Sequence, residues 1–268
     1  MSGGLVEAAL RRDRAVLVGA MGLLFLLAGL YTVFGIGMNM TALDMTRMAG
    51  MRDMPSMRPA GARSGGYTLL VFLMWWVMMV AMMLPSVAPV ILLYAALLRR
   101  TESVGSTPAI AGSFLAGYLL AWAGFSMLAT LAQWGLEAAG IVSASMMTLI
   151  DTRAGAAVLI AAGAFQFTPL KDACLAQCQS PAKFLSERRR PGASGALVMG
   201  LEHGTYCLGC CWALMALLFV GGIMNLYWIV GLAAFVALEK LTPYGRAISR
   251  VAGAGLVVWG IAILAGLA

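Results

Sequence analysis

Along this chain, apolar residues run in long unbroken stretches separated by short polar interruptions. A hydrocarbon core of about 30 Å takes roughly 20 apolar residues as a helix, and seven stretches approach that length: Ala15–Gly37, Tyr67–Leu98, Ala109–Gly135, Ala154–Leu170, Gly195–Val220, Met224–Leu238 and Ala247–Leu267. The pattern predicts an all-α, polytopic transmembrane helical bundle of about seven spans, forming a single membrane domain over residues 1–268. The second stretch carries Pro85 and Pro89, which predict a kink or break near one end. The sixth is short, which makes it tilted, re-entrant or supported by its neighbours. The first follows a basic stretch but is longer than a signal-peptide apolar region and lacks a small-residue cleavage pattern, so it reads as an uncleaved span.

Composition agrees with this pattern. The 268 residues are 62% hydrophobic and 11% charged, against about 45–50% and about 25% in soluble domains. The net charge of +7 suits loops facing lipid headgroups. No nucleic-acid module or basic stripe with interleaved aromatics occurs, so nucleic acid is not an expected partner; the bilayer is. With the N-terminus cytoplasmic, the inner side receives thirteen cations: Arg11, Arg12, Arg14, Arg99, Arg100, Lys171, Lys183, Arg188, Arg189, Arg190, Lys240, Arg246 and Arg250. The outer side receives five: Arg47, Arg52, Arg58, Arg63 and Arg153. This bias puts the C-terminus outside. A Met-rich outer loop (residues 38–66) and a Cys-containing inner loop (residues 171–194) are then the longest connections, and no internal repeat is visible.

Sulfur changes the picture from membrane bundle to chemistry. Of 20 methionines, seven lie in the outer loop: Met38, Met40, Met45, Met48, Met51, Met54 and Met57. The last five recur at every third position among Arg, Asp, Pro and Gly, which predicts a solvated segment. Thioethers are soft, neutral ligands suited to Cu(I) or Ag(I), and unlike thiols they are not lost to disulfides in an oxidising compartment. Met45, Met48, Met51 and Met54 are therefore candidate ligands; the alternative is a Met-rich amphipathic segment lying on lipid. In the second stretch Met74, Met78 and Met82 share one helical file and Met79 and Met83 the next. Met78 and Met82 are candidate ligands there, with packing as the alternative.

The fifth stretch reads MGLEHGTYCLGCCWALM. At about 100° per residue, Met199, His203, Cys207 and Cys210 fall within a narrow arc, with Cys211 at its edge. His203 is the only histidine of the chain, placed at a depth where ionisable groups usually face the bundle interior. Taken singly, each residue has a packing explanation; together they point to an intramembrane metal site. After the fourth stretch, Thr168 and Pro169 predict an N-cap and first helical position, opening a short helix on which Cys174 and Cys178 lie one turn apart. On the cytoplasmic side these thiols stay reduced and serve as metal ligands or as an exchange site. Lys171 and Arg188–Arg190 either lower the thiol pKa values or anchor the segment to anionic lipid. Three ordered stations result: thioethers outside, mixed ligands within and thiols at the inner mouth. Glu239 and Lys240, at the inner end of the sixth stretch, either pair with Lys171 or Glu202 across the bundle or form an interfacial ion pair.

The runs MVAMMLPS, FQFTPLKDACLAQCQSP, EHGTYCLGCCWALM and LEKLTPYG, spread over about residues 67–246, resemble a bacterial family of predicted metal-binding integral membrane proteins, of unknown function and sometimes labelled copper chaperone. The resemblance implies a bundle in the bacterial inner (cytoplasmic) membrane and a metal site at Cys174, Cys178, Cys207, Cys210 and Cys211. The functional expectation is a binder of Cu(I), with zinc or another soft metal as substitute, acting in copper acquisition, transport or delivery. A copper chaperone or a membrane cuproenzyme is then its expected partner. The competing readings are a membrane thiol–disulfide oxidoreductase, a metal-dependent membrane enzyme and a mercury-like heavy-metal transporter. The redox reading leaves the Met loop and His203 unused. One histidine and no H-E-x-x-H disfavour the metalloenzyme. No phosphate loop supports ATP-driven transport.

Overall fold

The computed structural model describes residues 2–38, 40–48, 50–51, 53, 64–99 and 107–267, with the backbone alone for residues 2–13. The long helices are α1 (Ser2–Phe34), α3 (Gly65–Leu98), α4 (Thr107–Ala138), α8 (Gly192–Ala216), α10 (Leu226–Leu241) and α11 (Gly245–Leu264). Between them lie α2 (Ala42–Arg47), α5 (Thr152–Phe165), α6 (Pro169–Gln179), α7 (Pro181–Glu187) and α9 (Leu218–Gly221). The expected all-α class holds: the described residues contain no β-strand, only an isolated antiparallel bridge between Val142 and Leu149.

Five helical segments are long and apolar enough to cross a bilayer: α1 from Arg14, α3, α4, α8 continued by α9, and α11. A sixth span is available if α5 and α6 count together, across a bend of 64°. The expected fourth span, Ala154–Leu170, ends with α5 at Phe165, and α6 begins at Pro169. Thr168 caps α6 through its side chain, which accepts from Lys171 N, and Pro169 follows as the sequence predicts. The break is a new helix start, which Pro at the first helical position favours. The sixth expected span, Met224–Leu238, corresponds to α10, whose 16 residues at 1.5 Å each give about 24 Å, short of the hydrocarbon thickness. Pro85 and Pro89 do not break α3, which runs continuously through both.

Large apolar side chains such as Leu128, Val230, Val251 and Val258 cover the outside of the bundle, a surface consistent with a multi-pass membrane protein. Inside, α4 and α8 meet almost backbone to backbone. A Cβ on Gly117 would come within 1.9 Å of Leu197 O, and one on Gly200 within 1.9 Å of Phe114 O. Small residues permit this approach, as they do between helices that pack within a bilayer. The consequence for chemistry is that α8 is held with its sulfur-bearing face inward.

The connections that the charge pattern assigns to one side meet at one end. Asp53 accepts from Ser143 Oγ at 2.6 Å, Leu226 N donates to Thr46 Oγ1 at 2.9 Å, and Leu149 N donates to Phe219 O at 2.8 Å. At the opposite end Gln179 Nε2 donates to the carbonyls of Glu239 and Thr242 at 2.9 and 3.2 Å. Residues 171–194, expected as a Cys-containing inner loop, hold short helices. These residues are largely helical, in α6, α7 and the start of α8, and Lys171 is fully buried.

Candidate metal centre of buried thiols

Met199, His203, Cys207, Cys210 and Cys211 are all buried, on the face of α8 that helical periodicity assigns to them. The two later thiols turn back on their own helix: Cys210 Sγ and Cys211 Sγ donate to Cys207 O at 3.0 and 2.8 Å. Cys207 Sγ points outward to two other helices. Tyr118 OH of α4 lies 2.9 Å from it, and Lys240 Nζ of α10 donates to it at 2.8 Å.

The bend between α5 and α6 supplies another thiol. Cys178 is buried on α6, on the side that lies near Cys207 and Cys210 of α8. Cys174, one turn earlier and only partly buried, rests its sulfur against Gly209 of α8, where a Cβ would come within 2.6 Å. The expected inner-mouth station is thus not separate from the intramembrane one. Both cysteine blocks converge on α8, Cys178 at its core and Cys174 at its margin. All five cysteines are free thiols.

His203 packs its ring against Phe184, Phe114 and Tyr118, with centroids 5.0, 6.0 and 6.1 Å away. Its Nδ1 is buried without a hydrogen-bond partner, a costly arrangement for a polar atom that leaves a lone donor facing the interior. Met199 Sδ accepts from Arg190 N at 3.3 Å. Met78 and Met82 are buried in the same apolar core that contains Cys207, Cys210 and Cys211, the location that packing alone also predicts. Among the described residues no three His, Cys, Asp or Glu side chains form a ready-made cage for an ion.

The basic residues take positions the sequence left open. Arg188 and Arg190 pair with Glu202 at 3.9 and 2.6 Å rather than approaching the thiols. Lys171 pairs with Glu239 at 2.5 Å, both fully buried, with Gln166 accepting from Lys171 and Ser249 donating to Glu239. Glu239 and Lys240 are consecutive, so about 100° of helical rotation sends Glu239 towards α6 and α11 and Lys240 towards α8. Sequence reasoning missed Lys240 as a neighbour of the thiols. The available signal was a second, adjacent ionisable residue at the end of an apolar stretch.

Removing one member of the Lys171–Glu239 pair strands the other as a buried charge. Glu239→Leu is therefore expected to destabilise the protein by roughly 3–5 kcal/mol, whereas Lys171→Met combined with Glu239→Leu costs far less. Thermal unfolding in detergent checks both, and equal losses would show that the pair does not act as a unit.

In the Met-rich segment, Met45 lies on α2 and is buried, Met48 is the C-cap of that helix, and Met51 is 52% exposed. Met54 and Met57 lie outside the described residues. The expected solvated array is thus only partly solvated. Thr41 caps α2 by accepting from Asp44 N, and Met38 and Met40 also pack against the core.

A helical bundle of membrane-length apolar segments enclosing reduced thiols beside a buried ammonium defines a class of candidate soft-metal handling proteins. The chain matches the PpoB2 family, described as copper chaperone, over residues 72–263, and belongs to that family. No curated protein and no solved structure matches the chain.

Proposed function

We propose that this chain is a multi-pass protein of the bacterial inner membrane, with its N-terminus inside, that binds Cu(I) on its buried thiols and delivers it to a membrane cuproenzyme. The observation that carries the reading is the meeting of Cys178 from α6 with Cys207 and Cys210 from α8, beside the Lys240 ammonium 2.8 Å from Cys207 Sγ. Thiolate sulfur is the preferred ligand class for Cu(I), which accepts linear coordination by a pair of thiolates as well as trigonal coordination by three. Several thiols within reach of one another let the ion pass from pair to pair by ligand exchange, never losing all its donors.

Charge supports the choice of ion. Two thiolates around Cu(I) carry one net negative charge, which is costly in a low-dielectric interior unless a counter-charge is present. The Lys240 ammonium is that counter-charge, making the assembly of ion, two sulfurs and lysine neutral. Protons displaced from the thiols leave as the metal binds. His203 Nδ1 and Met199 supply further donors along the same face of α8, and Cys174, at the margin of the cluster, suits hand-over. The family's copper chaperone description favours delivery over catalysis.

The test is anaerobic loading of the purified full chain with Cu(I), followed by elemental analysis and X-ray absorption. Bound copper in a predominantly sulfur shell is expected. A reduced protein that takes up no Cu(I), or binds it through nitrogen and oxygen alone, overturns the reading.

A further inference from the structure

The outer end of the bundle contains a second arrangement of sulfur, distant in sequence from the cysteine blocks. A cavity of about 210 Å³ lies between α2, the segment after it, the 139–151 connection and the start of α10. Met45, Met51 and Met146 line it, together with Trp228, Trp259 and Asn225. Met48 and the methionines of α3 are not among its lining residues. Met146 is about a hundred positions from Met45 and belongs to no Met-rich run, so only the fold brings it there.

The walls are fixed. Asp53 is tied to Ser143 at 2.6 Å, and Thr46 to Leu226 N at 2.9 Å. Ser143 Oγ also accepts from Met146 N at 3.2 Å, and Ile223 N donates to Met147 O at 3.1 Å. Met45 and Met146 are each only 5% exposed, whereas Met51 stands at the mouth.

The oxygen donors that line the cavity are already engaged. Thr148 Oγ1 donates to the carbonyls of Phe219 and Val220 at 3.3 and 3.2 Å. Asn225 Oδ1 accepts from Tyr227 N at 3.0 Å and its Nδ2 donates to Gly221 O at 3.0 Å. No carboxylate lines the cavity among the described residues. What is left uncommitted is thioether sulfur and the stacked indoles of Trp228 and Trp259, 6.0 Å apart at 15°. Soft thioethers select Cu(I) or Ag(I) over hard cations, and an indole face adds attraction for a cation.

We propose that Met45, Met51 and Met146 form a thioether site for a soft monovalent cation at the outer end of the bundle, with Met146 completing a ligand set that Met45 and Met51 cannot make alone. The proposal takes its ion class from the copper reading above, but its ligands are separate from the thiols. Met45 and Met146 hold the ion under cover, and Met51 is the ligand that exchanges with the outside.

The test uses the full chain in detergent, labelled with ¹³C at the methionine methyls, with Ag(I) as the probe. It is run on wild type and on a variant with all five cysteines changed to serine. In the cysteine-free variant Ag(I) is expected to shift the methyl signals of Met45, Met51 and Met146 while that of Met48 stays in place. Met146→Leu, which nearly conserves volume, is expected to weaken this binding by roughly tenfold or more, at least the loss that removing an outer-shell partner causes. Unmoved methyl signals of Met45 and Met146 under Ag(I), or unchanged affinity in Met146→Leu, overturn the proposal. Failure of the inner site appears separately, as wild type and the cysteine-free variant binding the same number of ions.

Discussion

Cys207→Ser is expected to lower the affinity for Cu(I) by more than about 100-fold, beyond the 10–100-fold that loss of an outer-shell partner costs. Serine keeps the size of the side chain but replaces soft sulfur by a hard oxygen, a poor ligand for Cu(I). Cys207 is the thiol on which the neighbours converge: Tyr118, Lys240 and Cys178 all reach it. Cys178→Ser and Cys210→Ser are expected to weaken binding in the same direction. Cys174→Ser should leave affinity near wild type and slow release to an acceptor, since Cys174 stands at the margin against Gly209. Anaerobic competition against a chromogenic Cu(I) chelator reads all four. Wild-type affinity in Cys207→Ser would reassign the site.

Lys240→Met is expected to weaken Cu(I) binding by about 10–100-fold while leaving Hg(II) binding unchanged or tighter. The opposite signs follow from charge. A dithiolate around Cu(I) is anionic and requires the ammonium 2.8 Å from Cys207. The same dithiolate around Hg(II) is already neutral, so the lysine only adds an unpaired buried cation. On the proposed site, Lys240 is thereby expected to discriminate between soft ions of different charge. A purely structural role would weaken both metals alike, and that result in paired Cu(I) and Hg(II) titrations would remove Lys240 from the site. The buried Lys171–Glu239 pair matters here too, because it fixes the last turn of α10 and so directs the lysine.

Much of the site was legible because helical periodicity is strict. Met199, His203, Cys207 and Cys210 share a face whenever the segment is a helix, and the structure buries all four. Thr168 and Pro169 announced the start of α6 for an equally local reason, since an acceptor side chain and a fixed φ suit a helix start. The contact between that helix and the thiols of α8 was not legible. A bend of 64° after α5 turns α6 back against α8 and merges the two expected thiol stations. Nothing in the sequence FQFTP gives the direction of such a turn. The methionines of the Met-rich segment differ from expectation for a related reason: M-x-x-M spacing among polar residues looks solvated, but α2 is tied to α10 through Thr46, and Met45 is buried.

By itself, the sequence determined the helical class, five of the apolar segments long enough for a bilayer, the family motifs and the inward face of α8. These follow from composition and from a repeat of 3.6 residues, both properties of the chain read locally. Only the tertiary structure decided that Cys178 joins Cys207 and Cys210, that Glu239 takes Lys171 while Lys240 turns to the thiols, and that Met146 meets Met45 and Met51. Each of those pairings links segments far apart in sequence, and their meeting depends on how helices bend and pack, which no local pattern records.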